Sequence, residues 1–401
     1  MPATLKRSLS LGLVTFYGLG TILGAGIYVL IGAVAAVAGP WTPCAFVLAA
    51  VIAAVTALSY AELVRRMPLC AAEASYVDAA FGRPLLTLCV GLAVVLAGVV
   101  SSATIANGFA AYLEVFVATP RGVALSALVA TLTLVAAIGI EASVWAASLM
   151  TLIEIAGLLL VIGIAGDDLI APGTLTTLLP PLDETMPGAV TAGAFLAFYA
   201  FLGFEDMVNI AEEVRDVERV MPRAIVVALV VATLLYVLVA LAAMRAVPLA
   251  DMAGSEAPLA VIVAAHGMDA RIIAAISMVA VVNGALVQIV KSARVTFGLA
   301  RDGRLPRVLA RVHAGTRTPL LATALIGALV LGFAWSLELV RLAALTSLIT
   351  LVIFTLVNLS LFVIERRERT AGGRARYPLW LPALGLILTV ALIAAELLAP
   401  L

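Results

Sequence analysis

The chain has 401 residues, of which 64% are hydrophobic and 12% charged, with a formal net charge of zero. Soluble globular proteins carry roughly 45–50% apolar and about 25% charged residues. The excess here is more than one globular core could bury, which excludes a soluble enzyme and equally a disordered or fibrous chain. A spanning helix needs about 20 apolar residues, so the length accommodates roughly ten to twelve passes of a bilayer. The ten-residue alternating segments of an outer-membrane barrel are absent, and zero net charge offers nothing toward a nucleic-acid partner.

Eleven apolar segments follow in chain order: 11–37, 42–64, 84–113, 122–140, 143–166, 189–211, 222–245, 270–292, 318–336, 340–364 and 378–398. Numbered as spans 1 to 11, they are joined by short loops, which predicts a single membrane domain over residues 1–401. Met1 to Ser10 lead directly into span 1 with no small-residue cleavage site, so no removable signal peptide is expected. Span 1 carries Gly18, Gly20, Gly24 and Gly26, four glycines in nine positions. Each costs about 1 kcal/mol relative to alanine inside a helix, so this stretch is predicted to unwind. Small-residue packing between helices accounts for Gly20 and Gly24, but not for Gly24-Ala25-Gly26 as a unit.

Polar residues inside the later spans come next. In span 3, Ser101 and Ser102 are read as hydrogen-bonding between helices, with Ser102 also a candidate substrate contact. Span 5 holds Glu154 about midway, with no basic residue within a turn or two on its own helix. A carboxylate at mid-bilayer costs several kcal/mol and is usually functional. It is predicted either to load and release a proton or to serve as counter-charge for a cationic substrate. Span 6 reads Phe198-Tyr199-Ala200-Phe201-Leu202-Gly203-Phe204-Glu205-Asp206, again with glycine beside polar residues in mid-span. There Tyr199, Phe201 and Phe204 are expected to form a lid over the substrate. Glu205 is assigned to coupling or gating, and Asp206 to capping the second half-helix. In span 8, Asn283 and Gln288 are five residues apart, about 140° around a helix, so both are not expected to face one site. Lys291, near the end of that span, is read as snorkelling. The run Glu212 to Arg219 is taken as a solvated loop or an inner-gate ion-pair network.

Cys44, Cys70 and Cys89 show no metal-like spacing and are read as small fillers. His266 and His313 fall in loops, so no metal site and no cofactor is expected. Placing the N-terminus in the cytoplasm puts 20 of the 24 Lys and Arg residues in inside loops, as the positive-inside rule requires. Eleven passes then leave the C-terminus outside.

Spans 1 and 6 are the two interrupted ones and lie five apart. Two repeats of five, about 11–166 and 189–364, would be inverted in the membrane, with 378–398 as an extra helix. Interrupted helices at matching positions of two halves point to a transporter binding site.

At these residues the chain resembles a bacterial member of the amino acid–polyamine–organocation (APC) transporter superfamily. The resemblance is carried by Gly24-Ala25-Gly26-Ile27, by Tyr60-Ala61-Glu62-Leu63, by Phe201-Leu202-Gly203-Phe204-Glu205 running to Ala211-Glu212-Glu213-Val214 and Met221-Pro222-Arg223-Ala224-Ile225, and by Ala300-Arg301-Asp302-Gly303-Arg304-Leu305-Pro306. It implies an all-α integral membrane fold of five plus five helices, with substrate held where helices 1 and 6 break. It implies further that backbone amides around Gly24, Ala25 and Gly26 take a carboxylate. The carbonyls of Ile22, Tyr199 and Leu202, beside Gly203, would then take an ammonium. Relatives often carry a hydroxyl residue where this chain has Ala25 and, when proton-coupled, a lysine near Glu154; the resemblance also sets Gln288 near a substrate-gating position often held by an aromatic, which makes it an expected substrate contact. Twelve helices are usual there, against eleven here.

The expected function is secondary active transport of an amino acid or related amine across the inner membrane, by proton symport or by antiport, as a monomer or homodimer. A channel would not need paired broken helices. A membrane-embedded enzyme would need a buried nucleophile–base or metal set, and ATP-driven transport a phosphate-binding loop ending in Lys-Ser or Lys-Thr. Neither pattern is present. Ser277 and Ser292 are too far apart to be joint sodium ligands, which favours protons as the coupling ion.

Overall fold

The chain's structure is a computed structural model that describes residues 9–68, 72–138, 144–173, 180–370 and 377–398. Cys70, Lys6, Arg7, Arg374 and Arg376 lie outside these residues, as does the side chain of Ala25. Over the described residues, each of the eleven apolar segments falls on helix, two of them with an interruption. Eight helical stretches are long and apolar enough to cross a bilayer, and the first of them, Leu11–Arg66, runs over two of the predicted segments. Two shorter apolar helices, Ser148–Ile164 and Leu320–Ser336, occupy further predicted positions. No strand is formed among the described residues, apart from one isolated parallel bridge between Leu9 and Val214. Helix is what an apolar solvent selects, because every backbone N–H and C=O must then be satisfied within its own segment.

The first span is interrupted as its glycines predict. Helix α1 (Leu11–Leu23) ends at Gly24, whose φ of −29° and ψ of −134° are not helical, and α2 (Ala25–Ala38) begins at the next residue. The chain then turns through Gly39–Trp41 into α3 (Thr42–Arg66). A short α4 (Ala72–Phe81) precedes α5 (Pro84–Glu114), α6 (Arg121–Ile138), α7 (Val144–Ile164) and the short α8 (Gly166–Ile170).

The second interruption is longer. Helix α9 (Met186–Phe198) tightens into a 3₁₀ turn at Tyr199–Phe201, and Leu202 is extended. Gly203 takes φ 122°, and the chain resumes as a 3₁₀ helix over Phe204–Glu213. The sequence leads one to expect an α-helical second half here, and the structure differs. Gly203 N–H donates to Glu205 Oε2 at 2.8 Å, and Asp206 N–H donates to the Gly203 carbonyl at 3.0 Å. That i→i+3 turn starts the segment on a three-residue period. Beyond it lie α10 (Val217–Ala246), the connecting helices α11 (Leu249–Ala253) and α12 (Pro258–Ala265), α13 (Ala270–Arg301), α14 (Leu320–Ser336), α15 (Leu339–Thr370) and α16 (Trp380–Leu398).

Elements five spans apart pack on one another: α9 on α2, α10 on α3, and α13 on α5. Small residues allow the close approaches. A Cβ on Gly26 would sit 2.3 Å from the Ala200 Cα, and one on Gly98 would sit 2.2 Å from Ser292 Oγ. Gly203 is the tightest case, because its φ is one that L side chains rarely adopt and its Cβ would lie 2.2 Å from the Thr21 carbonyl oxygen.

Polar contacts gather at the two ends of the bundle in the sets that alternate-loop counting predicts. At one end, Arg121 reaches Glu256 at 3.4 Å, and Arg245 reaches the Asp168 carbonyl at 3.3 Å. His266 Nε2 lies 2.9 Å from Asp168 Oδ2 and its Nδ1 lies 2.9 Å from the Ile262 carbonyl. At the other end, Arg66 pairs with Glu62 at 2.8 Å, with Glu368 at 2.9 Å, and also with Glu365. The charged run 212–219, read as a solvated loop or an ion-pair network, instead ends the 3₁₀ helix at Glu213 and starts α10 at Val217, leaving only a short turn between, and its Arg219–Asp216 pair is 3.9 Å apart and exposed.

Two predictions follow from this packing. Gly203→Ala combines backbone strain with overpacking, each about 1–3 kcal/mol. Its melting temperature in detergent should fall by several degrees, and a value equal to wild type would contradict the packing. The Ile262 carbonyl first, then Asp168, holds the His266 pKa above the usual histidine value. The stabilisation this gives is fully present below about pH 6.5 and is lost as pH rises through the raised value in the folded protein. His266→Asn should therefore flatten the decline in melting temperature between about pH 6 and 9.

Candidate substrate cavity at the two helix breaks

Where a helix stops inside the bundle, its last carbonyls and the next segment's first N–H groups lose their intrahelical partners. The break at Gly24 thus frees carbonyls at the end of α1 and amides at the start of α2, and the break at 199–203 frees a second set beside it. Protein groups satisfy part of both. Tyr236 Oη, from the middle of α10, lies 2.7 Å from the Ile22 carbonyl and 2.9 Å from the Ala200 carbonyl, bridging the two breaks. Thr21 Oγ1 lies 2.9 Å from the Gly18 carbonyl and 3.0 Å from the Gly203 carbonyl.

Between the breaks, α5 and α13, a cavity opens. The backbone side of its wall comprises Gly20, Thr21, Ile22, Gly24, Gly26, Tyr199 and Leu202, and the opposite side is built from Ser101, Ile105, Asn283, Gly284, Val287 and Gln288. Asp206 completes it. The space is contracted, about 30 Å³ for the centres of water-sized particles, or room for two or three waters. Binding of an amino acid requires its walls to part.

Of the expected substrate contacts, Ile22, Gly24, Gly26, Tyr199, Leu202 and Gln288 are on this wall, and Gly203 lies behind it against Thr21. Ala25 opens α2 at the break, where its N–H is one of the freed amides. Ser102 is displaced by its neighbour. Its hydroxyl donates to the Ala285 carbonyl at 3.4 Å, while Ser101 faces the cavity and lies 3.1 Å from the Tyr199 hydroxyl. Both serines thus link helices, as their sequence reading holds.

The three-aromatic lid is not assembled, since of the three only Tyr199 reaches the wall. Phe201 packs edge-on to Tyr236 with centroids 5.1 Å apart, and Phe204 packs on Tyr60 at 5.6 Å and on Phe354 at 5.1 Å. The break between them redirects the chain, so residues that would share a face of one continuous helix part company. Asn283 and Gln288 depart from expectation in the other direction, as both line the cavity. Gly284 between them has no side chain, so a wide strip of α13 stands open, and both long side chains reach it.

The acids divide into two kinds. Glu154 is fully buried on α7 behind the wall. Its Oε1 accepts from Asn283 Nδ2 at 3.4 Å, and its Oε2 is buried without a partner among the described residues. Its backbone carbonyl accepts from the Tyr28 hydroxyl. Asp206, only 2% exposed, is fully engaged: Lys291 Nζ lies 2.6 Å from Oδ1, and Gln288 Nε2 donates to Oδ2 at 2.9 Å. This corrects two readings. Asp206 binds side chains of α13 instead of capping its own segment, the role Glu205 has taken through the Gly203 N–H. Lys291 points back into the bundle at 13% side-chain exposure instead of snorkelling outward. A buried carboxylate within reach makes the inward rotamer the favourable one. Below them, Tyr60 donates to Glu73 at 3.5 Å, and burial first, opposed in part by Lys291, keeps Glu73 above the ordinary carboxylate range.

Sequence reasoning passed over Tyr236 and Thr21. A lone tyrosine in mid-span is a signal that could have singled out the first, since a hydroxyl at that depth needs a partner.

An all-helical membrane bundle, with two interrupted helices side by side and a small polar cavity at the interruption, defines a multi-pass transporter. The amino acid permease family model matches residues 9–400, and the chain belongs to that family. It is 29% identical to the methylthioribose transporter of Bacillus subtilis over 398 residues, covering 94% of this chain and 85% of that one. It is 28% identical to the branched-chain amino acid permease BcaP of the same organism over 388 residues, covering 91% and 82%. In fold it is similar to a Na+-coupled sialic acid symporter solved in a substrate-bound outward-open state, with TM-score 0.63 and 15% identity, covering 98% of this chain and 91% of that one. The protein is accordingly a membrane transporter of amino acids or related amines.

Removing the Tyr236 hydroxyl would leave two buried carbonyls without it, and an unsatisfied buried acceptor costs about 1–3 kcal/mol. Tyr236→Phe is expected to lower the melting temperature by several degrees. Differential scanning fluorimetry showing no change would mean that the bridge contributes nothing.

Proposed function

We propose that this permease carries its substrate into the cell in symport with protons, and that Glu154 is the proton carrier. The observation that carries this reading is a fully buried carboxyl with one oxygen unpartnered among the described residues. It reaches the cavity wall through Asn283, whose Nδ2 lies 3.4 Å away. An uncompensated carboxylate in the membrane interior is costly, so the group is neutral when the site is shut. It ionises only when a conformational change brings it water. That alternation, tied through Asn283 to the state of the cavity, is what coupling requires.

In the bound state the amides of Ala25 and Gly26 at the start of α2 receive the substrate carboxylate, aided by the helix dipole. The ammonium turns to the carbonyls that α1 and the second break leave free. Each carbonyl has two acceptor positions, so the Tyr236 bond to Ile22 leaves one open. The packing of α9 on α2, α10 on α3 and α13 on α5 supports two inverted repeats, about 11–166 and 189–364, that rock against one another. The distribution of Lys and Arg supports an inner-membrane orientation with the N-terminus in the cytoplasm.

Glu154→Gln keeps shape and neutrality but cannot release a proton. In proteoliposomes it should lose proton-driven accumulation at least tenfold while still exchanging substrate across the membrane, and Glu154→Asp should recover part of the accumulation. Uptake by the glutamine variant with wild-type pH dependence would overturn the proposal.

A further inference from the structure

Among the described residues the cavity wall holds a single carboxylate, that of Asp206. On its own, a buried carboxylate beside the substrate site would attract any cationic side chain. It is not on its own. Lys291 Nζ takes Oδ1 at 2.6 Å and Gln288 Nε2 takes Oδ2 at 2.9 Å, so neither oxygen is left without a donor. Lys291 stands three residues beyond Gln288 on the same face of α13 and reaches the cavity through Asp206, the wall carboxylate that a substrate's distal ammonium would otherwise seek. The rest of the wall is uncharged. Ile22, Ile105, Leu202 and Val287 supply apolar surface, and Thr21, Ser101, Tyr199 and Asn283 supply neutral hydrogen-bonding groups.

Resting on the amino acid permease reading, we propose that Lys291 is a specificity-determining residue that occupies the cation place at Asp206. It thereby restricts the cavity to amino acids with uncharged side chains and shuts out basic amino acids and diamines. The exclusion has two parts. A basic substrate meets the ammonium as a like charge at short range in a medium that screens poorly. It also gains no carboxylate unless it first breaks a buried ion pair, which leaves Lys291 uncompensated. Glu205 and Glu73 lie within electrostatic reach of the same ammonium. Removing it turns the wall around Asp206 from neutral to strongly cation-seeking. An uncharged side chain meets none of these costs, and the α-amino and α-carboxyl groups are left to the backbone of the two breaks.

The test is a thermal-shift panel on the purified full-length protein and its Lys291→Gln, Lys291→Arg and Asp206→Asn/Lys291→Gln variants. The ligands are leucine, methionine, serine, lysine, ornithine, arginine and putrescine at equal concentration, since a ligand that binds only the native state raises its melting temperature. Wild type should be stabilised by one or more of the neutral amino acids and by none of the basic compounds. Lys291→Gln should bind lysine or ornithine at least tenfold more tightly than wild type does. The double variant should lose that gain, and Lys291→Arg should keep the wild-type exclusion. Stabilisation of wild type by the basic compounds as strongly as by the neutral ones overturns the inference, even where Lys291→Gln does not purify. So does a Lys291→Gln protein that still binds a neutral amino acid yet gains no basic one. A wild type stabilised by nothing in the panel would overturn the amino acid reading itself, and this inference with it.

Discussion

Everything in this molecule turns on backbone groups that a bilayer does not forgive. In water a helix can end anywhere, because solvent takes up the freed N–H and C=O groups. In hydrocarbon an unpaired group costs several kcal/mol, so an interruption survives only where protein or ligand supplies partners. Here the two interruptions lie against each other, and their partners are shared. One tyrosine hydroxyl lies within hydrogen-bonding distance of a carbonyl from each break, and one threonine on α1 reaches the carbonyl of Gly203 in the other. The breaks thus stabilise one another, and between them lies a small polar cavity.

Two solutions to the problem of an acid in the membrane stand a few residues from that cavity. Asp206 is neutralised by a fixed ammonium and an amide, and so behaves as a static, charge-balanced part of the wall. Among the described residues Glu154 has an amide at 3.4 Å on one oxygen and no partner on the other, so no fixed charge balances it. The difference comes from the neighbouring helix. Along α13, Asn283 faces the glutamate, whereas Gln288 and Lys291 face the aspartate. One helix therefore sets the chemistry of both acids.

Much of the fold could be read from the chain before any coordinates. Apolar runs of spanning length located the helices, the spacing of Lys and Arg separated the loops into two sets, a cluster of glycines marked the first interruption, and glycine beside polar residues marked the second. These are local signals, and the bilayer makes them strong because it leaves helix as the only conformation for a lipid-exposed span. The second half of span 6 went wrong for the same local reason turned around. Whether a ten-residue segment winds as α or 3₁₀ depends on how its first turn is capped, and Glu205 makes that cap only because Gly203 places its N–H there.

The sequence by itself determined that this is a membrane-embedded helical bundle with broken first and sixth spans and a buried acid in the fifth. Composition, period and glycine placement act within one turn or one span, and nothing distant alters them. Only the tertiary structure decided which polar side chains meet. It brought Ser101 instead of Ser102 to the cavity, turned Phe201 and Phe204 into the core, and joined Tyr236 to carbonyls 214 and 36 residues away in the chain. It also drew Lys291 inward onto Asp206 across 85 residues. Side-chain direction after a helix break depends on dihedral angles that the pattern of residues does not encode. A charge commits to a partner only when packing has brought that partner within reach.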